Sequence, residues 1–128
     1  MPRRGGFTLI ELLIVMVIIG ILATVAIQHF YQARNRALVT AMANDLRNFA
    51  TQQELYFAAN LTYANDALDV KDFTPSTGVT LTVTYGATDG WAATVVHTSV
   101  VSQCGLFTGN AVASDAPPAT RAGSVECS

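Results

Sequence analysis

Three kinds of side chain in this sequence could do chemistry: one isolated acid, two cysteines and two histidines. Glu11 is the one ionisable residue between Phe7 and Ile27. A carboxylate surrounded by apolar side chains is costly and is usually paired, so we expect Glu11 to neutralise a charge on a partner. The alternative is a carboxylate that reaches the membrane interface and has no partner.

Cys104 and Cys127 are separated by a stretch that contains Gly and Pro, which is typical of loops and turns. A disulfide between the two would close this tail and stabilise the protein by about 3 kcal/mol. It would also imply an oxidising compartment, because the cytosol keeps thiols reduced. The alternative is a pair of reduced thiols in the cytosol, and the membrane segment described below favours the disulfide.

The histidines do not complete a catalytic or metal site. His29 follows the apolar segment and His97 lies in a predicted strand, with no Ser/His/Asp, Cys/His or paired-carboxylate set in reach. Zinc would need further Cys or His residues near His97. Asp66, Asp69 and Asp72 lack the Gly and the distal Glu of an EF-hand calcium loop and are expected to form a solvated face. The sequence predicts no enzyme, no metal site and no cofactor.

The segment around Glu11 is the most apolar part of the chain. Charged residues make up 12% of the sequence, about half the usual share, and most of this deficit comes from residues 7–27. Phe, Leu, Ile and Val there favour insertion by about 4–8 kcal/mol in sum, which exceeds the cost of one acid near the end. Since about 20 residues suffice to cross the hydrocarbon core, we expect a membrane helix.

Three fates of this segment compete. A secretory signal would be cleaved after a site such as Thr24-Val25-Ala26, but the segment is too long and carries an acid near its start. An uncleaved single-span anchor fits the length. The third fate is cleavage ahead of the apolar segment, which is suggested by the basic leader Arg3-Arg4-Gly5-Gly6 and the Phe-Thr-Leu-Ile-Glu that follows it.

The stretch Arg3-Arg4-Gly5-Gly6-Phe7-Thr8-Leu9-Ile10-Glu11 resembles the class III signal of type IV prepilins and of the related type II secretion pseudopilins. The resemblance implies that a membrane prepilin peptidase cuts between Gly6 and Phe7 and methylates the new amine of Phe7. It also implies that Glu11 guides assembly. The Phe7 amine of a neighbouring subunit would neutralise this carboxylate and set the axial register of a filament.

Small residues in the apolar helix, Gly20, Ala23 and Ala26, would let another helix approach closely. Many type IV pilins have a proline where this sequence has Gln28, and a proline there would kink the helix and free a backbone carbonyl. With Gln28 we expect a smoother helix, which removes the support for local melting between Gly20 and Gln28 during assembly.

Beyond the apolar segment the pattern becomes amphipathic, with apolar residues at helical spacing and neither Gly nor Pro between residues 21 and 59. We therefore predict one continuous helix from Phe7 to about Ala59, roughly 80 Å long. The predicted core face of its second half consists of Ile27, Tyr31, Leu38, Met42, Leu46, Phe49 and Tyr56 or Phe57.

The rest of the chain has the pattern of a small β-sheet. Alternating residues predict a strand over 79–85, a turn over 86–90, and the returning strand of an antiparallel hairpin over 91–98. A third strand is expected over 103–107. Because so short a segment lacks a comfortable core of its own, this sheet should pack on the amphipathic helix.

The sequence thus predicts an α+β protein with the type IV pilin fold. Residues 1–6 are the leader that is removed, 7–27 the membrane-spanning and filament-core helix, 28–59 the amphipathic helix, and 60–128 the antiparallel sheet head. The resemblance also favours a C-terminal loop closed by a disulfide, as in type IV pilins, over the calcium that stabilises this region in the major pseudopilins.

The predicted function is that of a structural subunit, held in the bacterial inner membrane and then polymerised into an extracellular pilus. The resemblance implies a homopolymer as the final state, with membrane lipid, the prepilin peptidase and the inner-membrane assembly platform as earlier partners. Arginines flank the apolar segment on both sides, so the cysteine pair and the prepilin signal decide the orientation, with the leader in the cytoplasm. The alternatives are a minor pilin, a type II secretion pseudopilin and an uncleaved membrane-anchored binding domain.

Direct binding of nucleic acid is not predicted. The net charge is −2, whereas nucleic-acid binders show a basic stripe or patch. The one local basic cluster is Arg34, Arg36 and Arg47, and we expect these arginines to be buried where the helix meets the head.

Overall fold

The computed structural model describes residues 5–128, so the first four residues of the predicted leader lie outside the described residues. The chain forms two units that divide between Arg34 and Asn35. In chain order the elements are α1 (Leu9–Asn60), a 3₁₀ turn (Ala67–Asp69), β1 (Val79–Gly86), β2 (Gly90–His97), β3 (Val100–Gly109), a second 3₁₀ turn (Ala113–Asp115) and β4 (Glu126–Cys127).

Helix α1 confirms the predicted continuous helix to within two residues at each end. It passes through Gly20 and Gln28 without a break, as expected for a segment that has no proline. It ends at Asn60 because Leu61 adopts the left-handed conformation, with φ of 57°. The amide of Leu61 then donates to the carbonyl of Phe57 at 2.8 Å, which satisfies one of the last carbonyls of the helix.

The predicted core face of α1 is correct only from Leu38 onward. Met42, Leu46 and Phe49 are fully buried, whereas Ile27 and Tyr31 are more than half exposed. The reason is that the sheet and loops of the second unit begin to cover α1 at about Leu38. The expected burial of Arg34, Arg36 and Arg47 was also wrong, because all three side chains are exposed.

The four strands form one antiparallel sheet in the order β1-β2-β3-β4. Leu81 pairs with Val95 in the predicted hairpin, and Val95 pairs in turn with Cys104 on β3. Strand β3 is longer than predicted, and β4 was not predicted at all. A strand of two residues has no alternation to detect, and β4 exists because Cys127 lies opposite Cys104 in the register.

The core of the second unit lies between α1 and one face of the sheet. Met42, Leu46 and Phe49 contribute from the helix, while Trp91 and Val95 contribute from β2. The rings of Phe49 and Trp91 meet edge to face with centroids 5.6 Å apart, a geometry that aromatic pairs favour. The predicted packing of the sheet on the amphipathic helix is therefore confirmed.

Two buried polar residues of α1 hold the loop between the helix and β1. The carboxylate of Asp45 accepts hydrogen bonds from the amide of Ser76 at 2.8 Å and from its hydroxyl at 2.9 Å. The side-chain amide of Gln53 donates to the carbonyl of Ala64 at 3.1 Å and accepts from the amide of Ala64 at 2.9 Å. These bonds satisfy polar groups that would otherwise be costly to bury.

The C-terminal segment covers the opposite face of the sheet. Small side chains from this segment, among them Ala116 and Ala119, pack on Ala92 and Phe107. Cys104 and Cys127 form the predicted disulfide, which closes the loop at its far end. Cys104 itself is fully buried, on the side of the sheet that packs against α1.

Breaking this disulfide should loosen the C-terminal loop. Cys104→Ser is expected to lower the free energy of unfolding by about 3 kcal/mol, because the crosslink no longer restricts the unfolded chain. The measurement is thermal unfolding of the full chain in detergent, with limited proteolysis of the tail. A matched Ser102→Ala variant changes a neighbouring residue on the same strand and should behave as the parent. Unchanged melting and unchanged digestion of the Cys104→Ser variant would contradict the prediction.

Glu126 makes the stability of this loop depend on pH. Hydrogen bonds from the hydroxyl and the amide of Thr120, both 2.8 Å, and from Nε of Arg121 at 3.0 Å hold the pKa of Glu126 below its ordinary value. A lowered carboxyl pKa means that the stabilisation is present at neutral pH and is lost as the pH falls through the folded-state pKa.

We therefore expect resistance of the C-terminal loop to protease to fall below about pH 4.3, the ordinary pKa of a glutamate. Glu126→Gln should show weaker resistance at pH 7 and a smaller further loss on acidification. Proteolysis by an acid-tolerant protease over this range tests both expectations. If the Glu126→Gln variant kept the pH profile of the parent, another carboxylate would be the cause of the pH-dependent protease resistance.

Candidate functional site at the helix N-terminus

Glu11 lies in the first turn of α1 and bonds to the residue that precedes the helix. Its Oε2 accepts from the amide of Thr8 at 2.9 Å and from the hydroxyl of Thr8 at 2.7 Å. In return the amide of Glu11 donates to the hydroxyl oxygen of Thr8 at 3.4 Å. This reciprocal pattern is a capping box, which satisfies backbone donors that the first turn of a helix leaves free.

The capping box gives Glu11 a second role that the sequence analysis missed. The signal was present, because Thr8-Leu9-Ile10-Glu11 has the threonine and glutamate spacing of this motif. Both hydrogen bonds that Glu11 accepts go to Oε2. Within residues 5–128 its Oε1 has no donor, so this oxygen is available to a cation from outside the chain.

The predicted cleavage point precedes the helix. Gly6 and Phe7 belong to no helix or strand, and both residues are exposed. The Phe7 side chain is 75% exposed, and a Cβ built at Gly6 would meet no atom within 4 Å. A peptidase requires an accessible, non-helical backbone, and the Gly6–Phe7 bond meets both requirements.

The three predicted helix-packing residues, Gly20, Ala23 and Ala26, are exposed on α1. At 100° per residue they fall within an arc of about 120° on the helix surface. A Cβ built at Gly20 would meet no atom within 4 Å. The fold of the single chain therefore leaves room for a side chain at this position.

The whole apolar part of α1 is uncovered. The helix has one segment near its N-terminus that is long and apolar enough to cross a membrane, and among residues 5–128 nothing buries it. Exposed apolar patches of this size mark contact with lipid or with other protein chains. The large side chains concerned include Leu9, Ile10, Leu12, Leu13, Ile14, Val15, Met16, Val17, Ile18, Ile19, Ile21, Leu22, Val25 and Ile27.

The other residues that could take part in catalysis or metal binding are far apart or make only local contacts. His97 accepts a hydrogen bond at Nδ1 from the amide of Ser99 at 3.0 Å, which is a local turn contact. Asp66 accepts from the amide of Leu68 at 3.0 Å and so caps the first 3₁₀ turn, while Asp69 and Asp72 are exposed as expected. Within residues 5–128 no three His, Cys, Asp or Glu side chains are grouped so that they could hold a metal ion.

Comparison with known proteins finds a family match at the N-terminus and similarity to three relatives. Residues 1–27 match the family model described as the prokaryotic N-terminal methylation motif. The chain is 39% identical over 77 residues to the type IV major pilin protein PilA of Myxococcus xanthus. It is 48% identical over 69 residues to the type IV wide pilus major component PilA4 of Thermus thermophilus. It is also 34% identical over 61 residues to the type II secretion system core protein G of Pseudomonas aeruginosa.

These similarities cover part of each protein. The aligned regions are 60%, 52% and 48% of this chain and 34%, 50% and 43% of the respective relatives. The chain also has the three features predicted for the type IV pilin fold: one long N-terminal helix, an antiparallel sheet, here of four strands, and a disulfide near the C-terminus. The chain therefore has the type IV pilin fold, carries the prokaryotic N-terminal methylation motif, and is a relative of type IV pilins and of the type II secretion core protein.

Proposed function

We propose that this chain is the structural subunit of a type IV pilus. It is held in the inner membrane as a prepilin, cleaved after Gly6, N-methylated at Phe7 and polymerised through α1 into an extracellular filament. The observation that carries the proposal is the uncovered apolar helix, whose N-terminal carboxylate lies within the methylation motif. Two of the relatives are named as major components of type IV pili, which supports the same function.

Assembly replaces lipid around α1 with the helices of other copies. Cleavage leaves a positively charged amine on Phe7, and the free Oε1 of Glu11 on another copy can accept it while Oε2 keeps the helix capped. Away from water, a charge-assisted bond of this kind satisfies two groups that would each be costly alone. It also selects one axial position among the many that an apolar surface permits.

The disulfide supports an orientation with residues 60–128 outside the cytoplasm, because an oxidising compartment is needed to keep the bond between Cys104 and Cys127. The leader then lies in the cytoplasm. The proposed earlier partners are membrane lipid, the prepilin peptidase, which acts at Gly6 and Phe7, and the inner-membrane assembly platform.

A minor pilin or a type II secretion pseudopilin is the second candidate, favoured by the 34% identity to a type II secretion core protein. A pilus subunit and a pseudopilin have the same kind of N-terminal helix and the same processing, so the residues at the helix N-terminus do not distinguish the two candidates. They differ in where the polymer accumulates, since a type IV pilus extends from the cell whereas a secretion pseudopilus works within the envelope.

The test is the intact mass and N-terminal sequence of the chain recovered by shearing filaments from its own bacterium. We expect a chain that begins at Phe7 and is heavier by one methyl group. The same processed chain in the envelope but absent from the sheared material would favour the secretion candidate. A chain that still begins at Met1 and stays in the membrane would favour the uncleaved anchor and overturn the proposal.

A further inference from the structure

The charges of the second unit are segregated along the chain. Segment 36–47 carries two exposed arginines, Arg36 and Arg47, and its one acid, Asp45, is buried and bonded to Ser76. Segment 54–72 carries four acids and a single cation, namely Glu54, Asp66, Asp69, Asp72 and Lys71.

Within residues 5–128 the charges of these two segments form no ion pair. The one ion pair among these residues joins Arg121 to Glu126, which lie far from both segments in sequence. Arg47 donates from Nη1 to the side-chain oxygen of its neutral neighbour Asn44 at 3.0 Å. Opposite charges that stay unpaired within residues 5–128 can pair across a contact between two copies of the chain.

The acidic segment borders a groove. This groove has a volume of about 340 Å³ and lies between the last turns of α1 and residues 69–72. Leu55, Tyr56 and Val70 supply apolar lining, with Leu55 60% exposed. Asp69 and Asp72 lie at the groove together with Lys71, so its charge is net negative.

We propose that this groove binds the arginine face of α1, defined by Arg36 and Arg47, from a second copy of the chain. The inference rests on the proposed function and names a contact that the filament would repeat. The aliphatic stem of an arginine covers the apolar lining, as its guanidinium reaches the carboxylates of Asp69 and Asp72. The lining ring of Tyr56 adds a face on which a guanidinium can stack.

The geometry of α1 allows every copy to use both surfaces at once. Arg36 and Arg47 are about three turns apart, so they lie on one face of the helix about 16 Å from each other. The helix residues that line the groove lie on average about 160° around the axis from this face. A contact between two different surfaces repeats from copy to copy and builds a chain of subunits rather than a closed pair.

The contact also sets an axial offset between copies. The groove is centred near Tyr56, so a parallel copy that inserts Arg47 is displaced by about 13 Å along the helix axis. A parallel copy that inserts Arg36 is displaced by about 30 Å.

Charge reversal on the full chain in its own bacterium tests the contact. Arg36→Glu alone and Asp72→Lys alone should each reduce the amount of sheared filament by roughly tenfold relative to the membrane pool. Arg36→Glu combined with Asp72→Lys should restore most of the filament, because the opposite charges are then exchanged. Both residues are exposed, so neither change should disturb the fold.

Arg34→Glu is the matched control, since Arg34 lies about 160° around the helix from Arg36. Its filament yield should stay close to that of the parent. Single reversals that assemble normally, or a double variant no better than the singles, would overturn the proposal. An equal loss in the Arg34→Glu variant would do so too, because it would show a general charge effect.

A photo-crosslinking amino acid at Leu55 tests the same contact without relying on filament recovery. Irradiated membranes and filaments should yield a dimer whose crosslinked peptide comes from residues 34–47 of a second copy. A crosslink to lipid, to another protein or to a different segment would overturn the proposal. If the unaltered chain forms no extracellular polymer, the proposed function fails, and this crosslink still decides whether the groove binds a second copy.

Discussion

Replacing Glu11 by alanine should abolish extracellular filaments while the chain still inserts into the membrane and is still cleaved after Gly6. In the proposed filament the amine of Phe7 from a neighbouring copy would be left without its counter-charge, away from water. An uncompensated buried charge of this kind costs about 3–5 kcal/mol, which corresponds to at least a hundredfold loss of assembly. The measurement compares sheared filament with the membrane pool, whose N-terminal mass reports cleavage.

Two further variants separate the charge of Glu11 from its capping role. Glu11→Gln keeps an oxygen that can accept from Thr8, so the helix stays capped, but it has no charge and should fail to assemble. Thr8→Ala removes the hydroxyl and leaves the carboxylate, so it should cost about 1 kcal/mol of helix stability and retain most of the assembly. Normal filament yield from Glu11→Gln would show that capping, and not charge, is what assembly requires.

The helix and the first hairpin could be predicted because their signals are local and repeated. Apolar residues recur at helical spacing beyond Leu38, and threonines alternate with apolar residues along β1. The same periodicity placed Ile27 and Tyr31 on the core face, although both are exposed. Spacing defines a face of a helix, but it does not show how far along the helix a neighbouring sheet extends.

The parts that escaped prediction depend on contacts between distant residues. Asp45 and Gln53 share the core face of α1 with Phe49, but their polarity argues against burial. Each one is buried because a loop residue bonds to it there, Ser76 to Asp45 and Ala64 to Gln53. Strand β4 is likewise too short to detect, and it forms where the disulfide brings Cys127 alongside Cys104.

The candidate site is contiguous in sequence, so its residues could be named together without knowledge of the packing. Gly6, Phe7 and Glu11 fall within six residues; Glu11 lies in the first turn of an exposed helix, and the other two lie just ahead of it. What the sequence analysis missed was the bond between Thr8 and Glu11, although its spacing was visible. The groove beside Leu55 was beyond sequence analysis, since its two walls come from separate segments.

Replacing Trp91 by alanine should cost the largest share of stability of any single change in the second unit. The side chain is fully buried and meets Phe49 edge to face at 5.6 Å. Loss of a buried tryptophan removes apolar contacts and leaves a cavity, at a cost of about 3–5 kcal/mol. That is a large fraction of the roughly 5–15 kcal/mol that stabilises a typical domain. Leu68→Ala, at a side chain that is 86% exposed, should leave the melting temperature unchanged.

Trp91→Phe separates the contribution of the aromatic ring to stability from that of the indole N–H. Within the described part of the chain the indole N–H of Trp91 has no hydrogen-bond partner, so phenylalanine gives up no such bond. It also keeps an aromatic edge against Phe49, and its cost should be less than about half that of alanine because the residual cavity is smaller. Thermal unfolding of the three full-length variants in detergent measures the order of their stabilities. A phenylalanine variant as unstable as the alanine variant would mean that the indole N–H is bonded, so that the core of this unit includes a polar contact at Trp91.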